Sequence, residues 1–433
     1  MIAFVSVAAA MAGMTAATDS AAPQSPNAIS QDVEQRLLSL EERNDELERR
    51  LELLSEELEQ TALGDAYVPV GESFRGLSPA ASKIYQATSP LSIGGYGEAI
   101  YNNFQGTEID EADFLRAILY IGYRINEKWL INTEFEFEHA GTSGGGSASL
   151  EFGYLEYFAT DNLSFRFGLL LIPIGWVNEL HEPQLFPSAD RPFLETQIIP
   201  STFRENGLGF AGENEHLAYR GYVVNGLDAS GFTDENLRSG RQQGSEALAD
   251  DLAIVGRLDY IGVDGLIVGV SAFHGNSGQG SDAGSVTTTI LDSHIEYQTR
   301  GWRFRWLGVW AEIDDVAELN AANGLDPIAN PGDAFESVGE ELSGFYLEGM
   351  YNVFNETDET SELLPFIRYE QFDTQAEVPD GFVSDPANDQ EIWTYGIAYK
   401  PHPNVVFKAD YVDRDNDAGT AVDIMRFSMG YVF

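Results

Sequence analysis

The segment Gly301-Trp-Arg-Phe-Arg-Trp-Leu-Gly-Val-Trp310 constrains the fold more than any other part of the chain, because its chemistry repeats every second residue. Trp302, Phe304, Trp306 and Trp310 fall on one face of an extended strand, and Arg303 and Arg305 on the other. An arginine against lipid at mid-depth costs roughly 2–4 kcal/mol, so in a membrane the tryptophans face out and the arginines face in. The same reasoning turns Leu115, Leu119, Ile121 and Tyr123 outward with Arg116 and Arg124 inward, and Phe135 and Phe137 outward with Glu134, Glu136 and Glu138 inward. An apolar outside around a charged inside is the reverse of a soluble barrel. A secreted β-sandwich with one wet face explains the alternation but not the tryptophans and tyrosines that accompany the charged face throughout.

The alternating segments follow one another from Leu91: IGGYGEAIYNNF, FLRAILYIGYRI, KWLINTEFEFEH, LEFGYLEYF and LSFRFGLLL. Their links alternate in length. Asn126-Glu127-Lys128 is short, the glycine-rich AGTSGGGSAS after His139 is long, and Ala-Thr-Asp-Asn after Phe158 is short again. Later short links lie near 214, 299 and 402, and long acidic ones at 227–250, 275–285, 314–341 and 374–389. This is the rhythm of an up-and-down transmembrane barrel with periplasmic turns and external loops. The expected fold is an all-β transmembrane β-barrel of about sixteen antiparallel strands over residues 91–433, preceded by an α-helical coiled coil.

The coiled coil is read from QDVEQRLLSLEERNDELERRLELLSEELEQ. Val33, Leu37, Leu40, Asn44, Leu47, Leu51, Leu54 and Leu58 are spaced by fours and threes, which is a heptad seam with Asn44 at an a position that fixes register. Residues 1–22, apolar and then small, read as a secretory signal peptide, although no Lys or Arg precedes Arg36 to form its positive region. Residues 23–60 are then the coiled-coil segment and 61–90 a linker rich in Gly, Pro and Ser.

Charge excludes one class of partner. With 70 acidic and 24 basic residues the chain carries a net charge of −46, and a nucleic-acid phosphate backbone calls for a basic surface. There is no cysteine, so neither disulfides nor thiolate metal sites are available. After the N-terminus no apolar run reaches the 18 residues of a membrane helix.

Residues 172–203, IPIGWVNELHEPQLFPSADRPFLETQIIPSTF, differ from the other long links. They carry five prolines and many apolar side chains, and such a segment must be buried. Within a wide barrel that places it in the lumen, as a fold-in loop narrowing the bore. Glu179, His181, Glu182, Asp190, Arg191 and Glu195 are its polar candidates at the constriction.

FRFGLLLIPIGWVNELHEP, followed by RPFLETQIIPSTFRENGLGF, and PNVVFKADYV near the end resemble the phosphate-selective porin O/P family. The resemblance runs loosely over residues 90–433. It implies a sixteen-stranded porin of a Gram-negative outer membrane, usually trimeric, with a folded-in third loop and a periplasmic N-terminal segment compatible with the coiled coil. It also implies that the terminal strand, with Phe427, Tyr431 and Phe433, is the signal read by the barrel-assembly machinery. In that family, selectivity rests on a luminal arginine ladder and clustered lysines. Here the luminal basic candidates are Arg116, Arg124, Arg166, Arg220, Arg257, Arg303, Arg305, Arg368 and Lys408. They share the bore with Glu98, Glu134, Glu136, Glu138, Glu348 and Glu370, and the chain has only four lysines, Lys83, Lys128, Lys400 and Lys408. Passive diffusion of small hydrophilic solutes and ions is therefore expected ahead of phosphate or anion selectivity. A third reading is an anchor that tethers the outer membrane to the cell wall through the coil.

Other chemistry is weakly signalled. His181 and Glu182 with Asp190 could approach a metal, but an isolated His-Glu in a loop is ordinarily a polar contact, so no metal site and no cofactor is assigned. The acidic loops NETDETSE and DPANDQE lack the glycine-spaced ligands of a dedicated Ca²⁺ site. A barrel hydrolase needs Ser, His and an orienting group at one level. His139 with Ser143 and His274 with Ser277 are not set apart from ordinary loop residues, so no enzyme is expected.

Overall fold

The computed structural model of the protein describes Arg43, Leu47, Arg49 and Arg50 and residues 73–87, 89–106, 109–356 and 360–433. The chain divides into two units, residues 1–64 and 65–433. In the first, the four described residues are helical. The signal-peptide reading and, apart from Leu47, the coiled-coil seam fall outside the described residues.

The second unit is a closed antiparallel barrel of sixteen strands, each paired with its sequence neighbours. Its first half comprises β1 (Leu91–Phe104), β2 (Glu111–Arg124), β3 (Trp129–Glu138), β4 (Ser147–Thr160), β5 (Leu163–Leu171), β6 (Arg204–Glu213), β7 (Leu217–Asn225) and β8 (Leu252–Val263). The second half comprises β9 (Leu266–Asn276), β10 (Thr287–Thr299), β11 (Trp302–Ile313), β12 (Glu341–Tyr351), β13 (Glu362–Glu377), β14 (Asp389–His402), β15 (Val405–Asn416) and β16 (Ile424–Val432). β1 pairs with β16 from Tyr96↔Val432 to Phe104↔Ile424, so no edge strand is left. The last residue takes part in closure: Phe433 N–H donates to the Gly95 carbonyl at 2.9 Å, and Gly95 N–H donates to the Phe433 carbonyl at 3.0 Å.

Side chains follow the period-two pattern. Trp302, Phe304, Phe135, Phe137 and Tyr123 are exposed on the outer wall, and so are Phe427, Met429, Tyr431 and Phe433 of the terminal segment. Arg116, Arg305, Glu134, Glu136, Arg426 and Ser428 are buried inside. The pattern changes phase at β-bulges, where one strand carries an extra residue. One lies in β4, where Glu134 faces Phe152 and Phe135 faces Leu150, so that Glu151 is the extra residue.

The segment read as a linker up to residue 90 is built differently in its described part. Pro79–Gln86 form a helix, α1, with Pro79 in the first turn, where its missing N–H loses no hydrogen bond. Ala80, Ala81 and Ile84 are buried and pack near β1, β2 and β3. Arg124, at the short-turn end of β2, donates to the Ile84 carbonyl at 3.1 Å, and Lys83 donates to the Ile93 carbonyl at 2.9 Å. A flexible spacer exposes its residues, whereas the small side chains of Ala80 and Ala81 let this helix lie close to the inner wall. The link between β12 and β13 is longer than the sequence rhythm suggested for that end of the barrel, running over residues 352–361.

Candidate functional site

The interior is dominated by residues 172–203, which leave the end of β5 and return to the start of β6. Their neck is held by one side chain. Asn178 Nδ2 donates to the carbonyls of Ile172 and Phe203 at 2.7 and 2.8 Å, while Phe203 N–H donates to Asn178 Oδ1 at 2.6 Å. Glu195 Oε2 accepts the N–H groups of Trp176 and Val177, both at 2.7 Å, and its Oε1 accepts the Tyr346 hydroxyl of β12 at 2.7 Å. Trp176 packs edge-on against His294 and lies 5.4 Å from the Arg305 guanidinium.

The loop reaches the distant strands as well. Ser188 accepts from Arg368 of β13 at 2.8 Å, and its carbonyl accepts from Lys408 of β15 at 2.9 Å. Leu194 N–H donates to Glu370 at 3.0 Å. Towards the other wall, Glu179 pairs with Arg220 of β7 at 3.1 Å, and Glu182 Oε1 accepts the N–H of Ala80 at 2.9 Å, at the start of α1. Buried backbone groups of this irregular segment, such as the Ser188 carbonyl and the Leu194 N–H, are thus satisfied inside the barrel by wall side chains.

The inward basic residues do not form an unopposed ladder. Arg116 lies 3.5 Å from Glu98, Arg166 3.3 Å from Glu156, and Arg257 2.9 Å from Asp259, while Arg220 is 3.0 Å from the same Asp259. Arg305 pairs with Glu296, and Arg368 is clamped between Glu348 at 3.2 Å and Glu370 at 2.9 Å. Arg124 serves α1, and Arg303 is half-buried near Glu296. Among the acidic candidates, Glu138 is half-buried and accepts from Ser147 at 3.1 Å.

Several interior charges were not singled out from the sequence. Glu156, Asp259 and Glu296 alternate with Leu155, Leu258 and Ile295, so parity alone could have found them. Glu151 is hidden by the β4 bulge. Arg238 and Arg241 come from the link between β7 and β8. Burial and the nearby Arg191 and Arg116 push Arg238 down to about 10. Burial and the nearby Arg238 and Arg204 push Arg241 down to about 9. The nearby carboxylates of Glu138, Asp190 and Glu151 offset part of this crowding.

The metal grouping suggested by the sequence is not the one assembled. Asp190 accepts the N–H of Arg191 at 2.7 Å and Glu182 is committed to α1, whereas His181 faces Glu134 and Glu151. Neither hydrolase pair forms: His139 bonds Asp113, and His274 bonds Thr289 while Ser277 bonds Thr288.

No family model matches the chain. Solved structures share its fold. OmpF of Salmonella typhi, in complex with daunomycin, superposes with a TM-score of 0.52 at 14% identity, covering 79% of this chain and 97% of that one. The anion-selective porin from Comamonas acidovorans gives 0.51 at 10%, covering 79% and 99%. The outer membrane channel DcaP of Acinetobacter baumannii gives 0.50 at 13%, covering 79% and 97%. At such identities the likeness is one of fold, the sixteen-stranded porin barrel. Sequence similarity is much higher to an uncharacterized protein of Aquifex aeolicus (strain VF5), which is 38% identical over 383 residues. That alignment covers 86% of each protein, and the chain belongs to the same family as the Aquifex aeolicus protein.

Proposed function

We propose that the protein is an outer-membrane porin of a Gram-negative bacterium, forming a water-filled channel for passive diffusion of small hydrophilic solutes and ions. The observation that carries this reading is a closed barrel with an apolar outer wall, a charged interior and loop 172–203 crossing that interior. Pairing of the inward arginines with carboxylates supports weak rather than strong ion selectivity, because a paired charge exerts little field on a passing ion. The dense packing of the loop against the wall supports a small conductance. A homotrimer is favoured by one solved structure that shares the fold, a trimer form of OmpT, an outer membrane protein of Vibrio cholerae. The coil over residues 23–60 is read as periplasmic, and the terminal strand as the substrate of the barrel-assembly machinery.

Planar-bilayer recording of the purified protein tests this directly. A small ohmic conductance with a reversal potential near zero in a salt gradient is expected. A protein that inserts but never conducts would support instead the anchor reading, in which the barrel holds a coil that tethers the cell wall. Anion selectivity is the other reading, and the crowded guanidiniums of Arg191, Arg204, Arg238 and Arg241 favour it. A clear anion preference with block by added phosphate would place it first.

A further inference from the structure

His181 sits on loop 172–203 with its ring fully enclosed, against the wall formed by β3 and β4. Its Nδ1 lies 2.9 Å from the Asn178 carbonyl, which can only accept, so Nδ1 carries the hydrogen. Nε2 is then left to face Glu134 Oε1 at 3.4 Å and Glu151 Oε1 at 3.8 Å. All three side chains are buried, and their ligand atoms lie within 4.8 Å of one another. Neither oxygen of Glu151 accepts a hydrogen bond among the described residues, and Glu134 Oε2 is equally unpartnered. An unprotonated Nε2 would thus turn its lone pair towards two enclosed carboxylates, a repulsion that either a proton or a metal ion between them relieves.

The spacing fits an ion. Ligands about 2.1 Å from a tetrahedral metal stand about 3.4 Å apart, close to the 3.4 and 3.8 Å that separate Nε2 from the two carboxylates. The carbonyl behind Nδ1 is the outer-shell partner that orients a ligating histidine, and it belongs to Asn178, the residue that clamps the loop neck. One imidazole nitrogen with carboxylate oxygens suits a divalent first-row transition ion, whereas Ca²⁺ seeks six to eight oxygens. We propose that His181, Glu134 and Glu151 bind one divalent transition-metal ion, with Zn²⁺ as its representative, and that the ion pins loop 172–203 to the β3–β4 wall.

The assignment does not depend on solute passage, so its failure and that of the porin reading are separable. The test uses the full-length protein in detergent, stripped with a chelator, desalted and titrated with Zn²⁺ against a chromogenic competitor. Metal content is measured by mass spectrometry. The wild type is expected to hold one ion per chain more than Glu151→Gln, which keeps the shape of the side chain and every acidic loop. Zn²⁺ affinity should fall at least tenfold in Glu151→Gln and His181→Gln, and Zn²⁺ should slow proteolysis within loop 172–203 in the wild type alone. If His181→Gln does not assemble, Glu151→Gln decides. Equal binding by the wild type and Glu151→Gln would overturn the proposal, leaving Nε2 to carry a proton. Displacement of the tight ion by a modest excess of Ca²⁺ would overturn the choice of metal class.

Discussion

Asn178 and Phe203 exchange hydrogen bonds across the neck of loop 172–203: the Asn178 amide donates to the Phe203 carbonyl at 2.8 Å, and Phe203 N–H returns a bond to Asn178 Oδ1 at 2.6 Å. A segment of more than thirty residues is thereby closed by a side chain only six positions past its start. The loop is tied at its tip as well as at its ends, since Ser188 bonds both Arg368 and Lys408.

Replacing Asn178 by alanine leaves the Phe203 N–H buried without its acceptor. The expected loss is about 2–3 kcal/mol, from net hydrogen-bond energy together with one stranded donor. Denaturant unfolding in detergent measures it, and proteolysis within residues 172–203 should accelerate while the barrel stays closed.

Arg368 is fully buried between Glu348 and Glu370 and also donates to Ser188 of the loop. Substitution by methionine strands two enclosed carboxylates, so a destabilisation of about 3–5 kcal/mol is expected. Combining it with Glu348→Gln and Glu370→Gln should recover much of that loss in the same unfolding measurement, since the uncompensated charge disappears.

The terminal residue completes the barrel seam through paired backbone hydrogen bonds with Gly95, and its ring covers that glycine. A Cβ at Gly95 would stand 2.8 Å from the Phe433 ring, and one at Gly97 2.5 Å from the Tyr431 ring. Deletion of Phe433 and the substitution Gly97→Val should both lower the yield of heat-modifiable, folded barrel in outer-membrane fractions. Molecules that do assemble without Phe433 should conduct as the wild type does, because that side chain lies outside the bore.

Leu258 is exposed at mid-strand on the outer wall, next to the buried Arg257 and Asp259. Leu258→Arg should cost roughly 2–4 kcal/mol in a bilayer. The same change should matter far less in detergent micelles, which deform around a charge. Comparing unfolding in vesicles with unfolding in micelles checks the contrast.

Strand number, wall faces and the long-short rhythm were legible because each depends on residues a few positions apart. Trp302, Arg303 and Phe304 declare their faces by adjacency alone. The fold-in segment was legible for a similar reason, as its prolines and apolar side chains do not suit an exposed loop. Glu151 was not, because a single extra residue in β4 shifts the phase and no local signal marks it. α1 was also missed: eight residues with one Pro and two Ala leave little helical pattern, and their burial depends on an inner wall contributed by three strands.

By itself, then, the sequence determined the barrel, its two faces and the segment that turns inward, since the contrast between an apolar outer face and a charged inner one is imposed residue by residue. Only the tertiary structure decided which charges neutralise one another, that α1 fills the space beside β1 to β3, and that His181 meets Glu134 and Glu151 rather than Glu182 and Asp190. The contacts of the loop and of α1 join positions from about thirty to more than two hundred residues apart, whereas charge pairs along the wall, such as Arg257 with Asp259, can be two residues apart.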